Sequence, residues 1–226
     1  MNHVTRVIGP GYWGPNVIRN FTGLGNCRVQ TVCDTDAGRR EYVHKHYPGV
    51  GTTDRAQELF EDHEITALVV ATPVGTHHAL ASRALAAGKH CFVEKPLAAT
   101  AAECEDLVQI AERNGLTLMV GHTFVYNAHI RAMKQLIQSG DIGEVMYINT
   151  RRLNLGLFQK DINVAWDLAP HDISIILYLL DRDPVSVNCT GRAHLNPNIE
   201  DVTTLSITFA DGCIAFVQSS WIDPKK

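Results

Sequence analysis

The first half of the chain alternates short apolar runs with longer amphipathic stretches. The apolar runs predict strands, and the stretches whose apolar residues recur every three or four positions predict helices. Short apolar strands separated by such helices indicate a parallel sheet covered on both faces, the doubly wound α/β class. The predicted strands are residues 4–8, 28–33, 51–53, 67–72, 90–94 and 116–121, and the predicted helices are residues 13–24, 36–46, 55–62, 77–87, 101–114 and 128–139.

The pattern changes after about residue 143. A strand at residues 145–152 and an apolar helix at residues 166–180 precede three strands that have no helices between them. Strands in such a meander predict an open, mainly antiparallel sheet with one helix packed on it, an α+β arrangement. The three strands are residues 185–193, 202–209 and 213–221, and Asp211-Gly212 predicts a two-residue hairpin between the last two.

These patterns predict two domains, residues 1–124 and residues 125–226. The second sheet has only four predicted strands, and no predicted element covers its last edge. We therefore expect the second domain to be incomplete. Within the elements, Thr100 with Glu103 forms a capping box for the helix that follows, and Asp54 is the predicted cap of the helix at residues 55–62.

Composition limits the kinds of partner that the protein can have but identifies no activity. The 226 residues are 45% hydrophobic, with a net charge of −4 and no long runs of one sign, so nothing points to nucleic acid or a membrane partner. The six cysteines form no C-x-x-C pair, which favours free thiols in a cytoplasmic protein over disulfides or a metal site.

A glycine-rich loop at residues 9–14 follows the first strand and opens onto the first helix. Gly9 permits the tight turn, Gly11 lets the backbone approach a pyrophosphate, and Gly14 lets the helix pack close to the strand. Asp34 ends the second strand about 20 residues after the loop, where a partner of a ribose hydroxyl is expected. In this context the loop predicts dinucleotide binding rather than an unrelated glycine turn.

The end of the strand at residues 67–72 adds a second candidate contact. Ligands of open parallel sheets bind beyond the carboxyl ends of the strands, so the backbone of residues 71–73 is expected beside the cofactor. His77 and His78 follow. They are candidate metal ligands, but neighbouring side chains at a helix start point apart, so a capping or packed histidine is favoured.

Two further strand ends carry titratable side chains. Glu94-Lys95-Pro96 follows the strand at residues 90–94, and its lysine can hydrogen-bond a substrate hydroxyl or share its proton. Glu94 is expected to hold the lysine ammonium, and Pro96 fixes the backbone, with a cis bond as one way of doing so. The alternative is a surface lysine. His122, at the end of the next strand, faces either the substrate or a loop.

The second domain offers Asp167 and His171 on one helix face, since they are four residues apart. A carboxylate beside an imidazole suits a general base near neutral pH. Asp167 is also a suitable N-cap, which would place Pro170 in the first turn. On spacing alone, a capping aspartate and a packed histidine are slightly favoured over catalysis.

Taken together, these motifs resemble the Gfo/Idh/MocA family of NAD(P)-dependent oxidoreductases. The resemblance covers the chain from residue 4 to its end, and its specific elements are Glu-Lys-Pro and Asp-x-x-x-His. The matching residues are the glycine loop, Asp34, Ala71-Thr72-Pro73 with His77 or His78, Glu94-Lys95-Pro96, Gly121-His122, and Asp167 with His171.

The resemblance implies a Rossmann domain, a second domain whose open sheet mediates homo-oligomers, and hydride transfer between a sugar carbon and nicotinamide. Lys95 would polarise the reacting hydroxyl, His171 would act as acid and base, and Asp167 would support His171. The cofactor would be NAD, contacted by Gly9, Gly11, Tyr12, Trp13, Gly14, Asp34, Ala71, Thr72, Pro73, His77 and Glu94.

Residues 11–16 and 151–156 look most similar to members that act on nucleotide-linked sugars. The resemblance thereby implies oxidation at C3 of a sugar of the UDP-N-acetylglucosamine type. Lys95, His122, Arg152, Asn154, Asp167 and His171 would contact this substrate.

Asp34 favours NAD, because a carboxylate repels the 2′-phosphate of NADP. Arg39 and Arg40 oppose that preference, since either is a candidate partner of the phosphate.

Two other functions fit the sequence. Members of the family continue beyond this chain's end, so a cofactor-binding or regulatory module without catalysis is one alternative. A dehydrogenase or reductase of the same superfamily that acts on a substrate other than a sugar is the second.

Overall fold

The computed structural model describes residues 3–156 and 158–224. The chain divides into two compact units, Met1–Gly121 and His122–Lys226. The predicted boundary after residue 124 falls just inside the second unit, in a short 3₁₀ helix, Thr123–Tyr126. None of the helices within the described ranges has the length and apolar character needed to cross a membrane.

The first unit is built on a parallel sheet of six strands in the order β3-β2-β1-β4-β5-β6. This order places the first strand centrally, with the chain running outward in both directions, as in dinucleotide-binding folds. The predicted doubly wound class is confirmed. The strands are β1 (His3–Ile8), β2 (Cys27–Cys33), β3 (Gly51–Thr53), β4 (Ala67–Val70), β5 (His90–Val93) and β6 (Leu118–Val120).

Helices cover both faces of this sheet. One apolar cluster packs α4 and α5 against it, including Leu68, Leu85 and Leu107, and a second packs α1 and α2 and includes Ile18 and Val43. The helices are α1 (Gly14–Thr22), α2 (Ala37–His46), α3 (Ala56–Glu61), α4 (His77–Ala86) and α5 (Ala101–Arg113).

The predicted capping box is present at the start of α5. The Thr100 hydroxyl accepts from the Glu103 amide, and the Glu103 carboxylate accepts from the Thr100 amide. The predicted Asp54 cap of α3 is wrong. Arg55 is the N-cap there, without a side-chain bond, and its amide donates to the Thr53 hydroxyl.

The second unit contains a four-stranded sheet in the order β7-β10-β9-β8. The β10–β9 and β9–β8 pairs are antiparallel, and the β10–β7 pair is parallel. The sheet is therefore mixed, with the predicted antiparallel majority. Its elements are α6 (Ala128–Ser139), β7 (Tyr147–Leu153), α7 (Val164–Leu180), β8 (Pro184–Arg192), β9 (Val202–Phe209) and β10 (Ile214–Ser220).

The hairpin between β9 and β10 is present, but its predicted two-residue loop is wrong. The Phe209 amide donates to the Cys213 carbonyl at 3.0 Å, and the Gly212 amide donates to the Phe209 carbonyl at 3.0 Å. Gly212 has φ 89°, so three residues form a turn that ends in a left-handed position. Such a loop is the next most common hairpin connection.

Helix α7 covers one face of the second sheet. Ile176 of the helix is fully buried in a cluster with Ile207, Ala215 and Val217 of the two central strands. By contrast, every residue of β8 is exposed. Among the described residues, the sheet face opposite α7 and the edge strand β8 are therefore open.

The start of α7 differs from the prediction. Asn163 is its N-cap and accepts from the Trp166 amide at 3.1 Å, so Asp167 is not the cap. Pro170 consequently lies inside the helix rather than in its first turn. Asp167 still lies one turn before His171, which keeps both on one side of the helix.

Candidate functional site

The glycine loop lies tightly against the end of β4. Gly9 has φ 90°, and a Cβ placed there would be 2.7 Å from the Ala71 carbonyl oxygen and 2.6 Å from the Thr72 methyl group. A Cβ on Gly14 would be 2.6 Å from the Gly9 carbonyl oxygen. Only glycine fits at either position, and the loop, the start of α1 and the end of β4 thereby meet at one edge.

A cleft of about 510 Å³ opens beside this loop. It lies between the β1–α1 loop and the start of α2. Its volume falls within the range of small-molecule and cofactor sites. Its lining residues are Pro10, Gly11, Tyr12, Pro15, Asp36, Gly38, Arg39 and Tyr42.

Asp34 follows the carboxyl end of β2 and is 8% exposed. Its carboxylate accepts from the Asp36 amide at 2.8 Å and from the Arg39 guanidinium at 3.3 Å. Arg40 is held differently, since its guanidinium donates to the carbonyls of Asp34 and Thr35 at 2.7 and 3.0 Å. Of the two arginines, Arg39 is the one whose guanidinium meets the Asp34 carboxylate.

His77 joins two loops at the same edge. Its side chain is 1% exposed, with Nε2 2.8 Å from the Thr72 carbonyl and Nδ1 2.9 Å from the Pro96 carbonyl. An imidazole enclosed in this way presents no nitrogen to a cofactor. The ring nitrogens of His77 therefore link the loops after β4 and β5, and the cofactor contact predicted for this residue stays a prediction.

The Glu94-Lys95-Pro96 segment follows β5, and its Lys95–Pro96 bond is cis. Burial raises the pKa of Glu94, while the Lys95 amide and ammonium partly offset that rise. Among the described residues, Glu94 Oε1 is buried without a hydrogen-bond partner. A Cβ at Gly121 would lie 2.9 Å from Glu94 Oε2, so the glycine at the end of β6 makes room for this carboxylate.

In the second unit, Asp167 is tied to the end of the sheet. The indole Nε1 of Trp221 donates to Asp167 Oδ2 at 3.0 Å, and Trp221 is 2% exposed. Trp221 follows β10 directly, and its amide donates to the Asp201 carbonyl at 3.0 Å. The carboxylate beside His171 is thus fixed by a buried indole that the sequence analysis did not identify.

His171 lies against an aromatic ring. The Phe124 and His171 rings are T-shaped, 4.9 Å apart and inclined at 71°. The Arg152 guanidinium lies over the Phe124 ring, 4.7 Å from its centroid. Arg152 also forms a two-point ion pair with Asp172, at 2.8 and 3.2 Å. Phe124 and Asp172 were missed from the sequence, where neither belongs to a recognisable motif.

The remaining predicted residues have less defined surroundings. His122 precedes the 3₁₀ helix and is half-buried. The backbone amide of Asn154 donates to the Ser220 carbonyl at 3.1 Å. Asn154 Oδ1 is buried without a partner among the described residues. Tyr12 and Trp13 are 86% and 45% exposed, at the tip of the glycine loop.

A second histidine–carboxylate pair stabilises the loop between β8 and β9. Asp201 is 1% exposed and accepts from the His194 amide and ring and from the Leu195 amide, at 2.7–2.8 Å. Burial alone would raise the pKa of Asp201, but these bonds lower it below its usual value.

Comparison with known proteins agrees with this fold. Residues 5–122 match the sequence model of an oxidoreductase family with an NAD-binding Rossmann fold, and residues 130–226 match the Gfo/Idh/MocA C-terminal domain. The first unit is therefore an NAD-binding Rossmann domain. The chain belongs to the Gfo/Idh/MocA family.

Among similar proteins are an inositol 2-dehydrogenase of Pseudomonas fluorescens and a UDP-N-acetylglucosamine 3-dehydrogenase of Acidithiobacillus ferrooxidans. The first is 34% identical over 203 residues, 83% of this chain and 59% of that protein. The second is 33% identical over 160 residues, 70% of this chain and 49% of that protein.

Solved structures share the fold. A crystal structure of GenD2, from gentamicin A biosynthesis, in complex with NAD superposes with a TM-score of 0.94 at 24% identity, covering 100% of this chain and 67% of that one. The chain spans 49–67% of the length of the curated relatives that it matches.

Proposed function

We propose that this protein transfers hydride between a hydroxyl-bearing carbon of a sugar or cyclic polyol and a nicotinamide cofactor. The observation that carries this proposal is the position of Lys95 at the carboxyl end of β5. In the strand order, β5 is separated from β1 and its glycine loop by β4 alone. At a strand spacing of about 4.8 Å, Lys95 lies roughly 10 Å along the rim from the loop, within the span of a dinucleotide.

The residues around the glycine loop suit NAD. Gly11 and the start of α1 would hold the pyrophosphate, and Asp34 would accept from a ribose hydroxyl. When bound, the nicotinamide accepts or supplies the hydride. NADP is the alternative cofactor, because the Arg39 guanidinium already lies beside Asp34 and is half-exposed.

The chain itself supplies the proton chemistry in this proposal. Lys95 donates to the reacting oxygen and stabilises the negative charge that develops there. His171 takes the hydroxyl proton during oxidation and returns it during reduction. Asp167, held by Trp221, supports His171 one helical turn away.

A nucleotide-linked sugar oxidised at C3 is our first candidate substrate, and the UDP-N-acetylglucosamine 3-dehydrogenase among the relatives supports it. An inositol is the second candidate, because an inositol 2-dehydrogenase matches a larger share of this chain at a similar sequence identity. Asn154, with its buried carbonyl oxygen, remains a proposed substrate contact, as does His122. Arg152 is engaged by Asp172 and Phe124, which argues against a direct bond to the substrate.

We also propose that the protein forms homo-oligomers through the open face of the second sheet. Tyr147 and Phe216 are 66% and 38% exposed, and their places in the register put them on the face opposite the Ala215 and Val217 side chains. A cytoplasmic location stays a prediction that rests on the six free cysteines.

The direct test measures nicotinamide absorbance with NAD and a panel of UDP-sugars and inositols. We expect turnover on at least one substrate. Lys95→Met and His171→Asn should each lower kcat by at least about 100-fold, the usual contribution of a positioned acid–base group. Cofactor affinity, followed by NADH fluorescence, should remain within about twofold, or about 0.4 kcal/mol.

Matched control substitutions are available on the surface. Lys45→Met changes an exposed lysine of α2, and His44→Asn changes an exposed histidine of the same helix. Both controls should leave turnover unchanged. Cofactor binding without turnover on any substrate would favour the non-catalytic module, and normal rates in Lys95→Met or His171→Asn would refute the proposed roles.

A further inference from the structure

We propose that Asp172, Arg152 and Phe124 form an imidazole clamp that positions the His171 ring for proton transfer. The inference rests on the proposed acid–base role of His171, but the clamp is a feature of the second unit and can be tested without turnover. It assigns positioning functions to three side chains, of which Arg152 had been predicted to bind substrate.

The outer end of the clamp is a fixed ion pair. Arg152 on β7 donates through Nε and Nη2 to the two carboxylate oxygens of Asp172, at 2.8 and 3.2 Å. The Asp172 side chain is 7% exposed and that of Arg152 is 26% exposed. Two parallel bonds to a buried carboxylate fix the plane of the guanidinium as well as its position.

The fixed guanidinium in turn restrains Phe124. Its carbon lies 4.7 Å from the centroid of the Phe124 ring, well within the range of a favourable cation–π contact. The same ring meets His171 in a T-shaped contact at 4.9 Å. Aromatic pairs prefer this edge-to-face arrangement, so Phe124 favours one orientation of the imidazole.

The backbone of α7 links the two ends of this set of contacts. His171 and Asp172 are consecutive, so their side chains leave the helix about 100° apart. The side chain of Asp172 reaches Arg152 on β7, and that of His171 reaches Phe124 in the 3₁₀ helix. The Phe124 ring therefore restrains the imidazole directly, and Arg152 on β7 restrains Phe124.

The clamp acts through orientation more than through charge. Arg152 brings a positive charge near His171, but the Asp172 carboxylate neutralises it at hydrogen-bond distance. Asp167 on the same helix adds a carboxylate that is bonded to Trp221. The expected consequence of breaking the clamp is thus a misplaced imidazole, which lowers kcat and leaves KM nearly unchanged.

The test combines Phe124→Leu, Arg152→Met and Arg152→Lys in the full 226-residue chain. The lysine variant keeps the charge but loses the two-point bond. In histidine-labelled protein, the His171 ring resonances are assigned by their loss in His171→Gln and are measured in each variant. Because the Phe124 ring shifts those resonances magnetically, we expect them to move in Phe124→Leu, and to move or broaden in both Arg152 variants.

Two control substitutions share the chemistry but not the site. Tyr126→Leu removes a 55% exposed ring of the same 3₁₀ helix that also contacts an arginine, Arg131, at 5.5 Å. Arg182→Met removes a surface ion pair with Asp211. Neither control should move the His171 resonances or change kcat.

Where the wild-type protein turns over, the three clamp variants should lower kcat by about 10–100-fold, the cost of a catalytic group misplaced by up to about 1 Å. KM should stay within about twofold, which corresponds to about 0.4 kcal/mol. Unchanged His171 resonances in folded Phe124→Leu and Arg152→Met would overturn the clamp. If Phe124→Leu does not fold, as judged by circular dichroism, the two Arg152 variants decide. Absence of turnover in the wild type would count against the proposed function, while the resonances would still decide on the clamp.

Discussion

At the carboxyl-end rim of the first sheet, the Glu94 side chain is half-buried in an unfavourable environment for a charge. Glu94 is a carboxylate with one buried oxygen that has no partner among the described residues, and burial raises its pKa. Gly121 is small enough to admit it. We expect this carboxylate to destabilise the fold, and we propose that it is retained because it holds Lys95 in place.

Glu94→Gln should therefore raise the melting temperature at neutral pH while lowering kcat. The folded-state pKa of Glu94 lies above its unfolded value, so the ionised form costs stability at any pH above the folded pKa. That cost disappears as the pH falls through the folded pKa toward the unfolded value of about 4.3. Each kcal/mol gained corresponds to a rise of roughly 2–4 °C, measured by calorimetry.

The stabilisation should accordingly be absent near pH 4. Glu112→Gln, at an exposed site on α5, is the matched control and should change the melting temperature little at either pH. A Glu94→Gln variant that is less stable than the wild type at neutral pH would show that the carboxylate is stabilising.

At the scale of elements, the two halves of α7 make different contacts. Its C-terminal half packs Ile176 and Leu180 against the sheet. Its N-terminal half holds Asp167 and His171, and the Trp221 indole links Asp167 to the end of β10. The N-terminal half is thus fixed by the Trp221 bond in addition to apolar packing, since Ala169 belongs to the same buried cluster.

Trp221→Phe should loosen that link. The variant keeps an aromatic ring but removes the donor to the half-buried Asp167 carboxylate, a bond worth about 1 kcal/mol or somewhat more. We expect lower stability in urea denaturation and a several-fold loss of kcat. Trp166→Phe on the same helix, where the ring is 47% exposed, should change stability by less than about 0.5 kcal/mol. Equal effects of the two substitutions would contradict the role of the Trp221 donor.

At the scale of the whole molecule, the sequence predicted the fold class and the order of elements well. The apolar residues of β1 to β6 and of the helices between them recur at clear strand and helix spacings. The glycines of the loop are required by close contacts with neighbouring backbone, so their spacing in the sequence is enough to predict the loop. The N-cap of α7 was missed because Asn163 and Asp167 are both good caps, and only packing decides between them.

The site was only partly predictable for a related reason. Lys95, Asp167 and His171 lie in short motifs, whereas Phe124, Asp172 and Trp221 act through contacts between residues 20 to 54 positions apart in the chain. Similarly, the burial of His77 between two carbonyls depends on Pro96, which a local pattern does not reveal. Contacts of this kind follow from tertiary structure alone.

The central claim, hydride transfer from carbon to nicotinamide, is tested most directly with a substrate deuterated at the reacting carbon. UDP-N-acetylglucosamine labelled at C3 and inositol labelled at C2 are incubated with NAD, and the reduced cofactor is analysed by mass spectrometry. We predict that one substrate delivers its deuterium to the nicotinamide and that Lys95→Met and His171→Asn abolish the transfer. Turnover in which the deuterium stays in the sugar or is lost to water would contradict the claim.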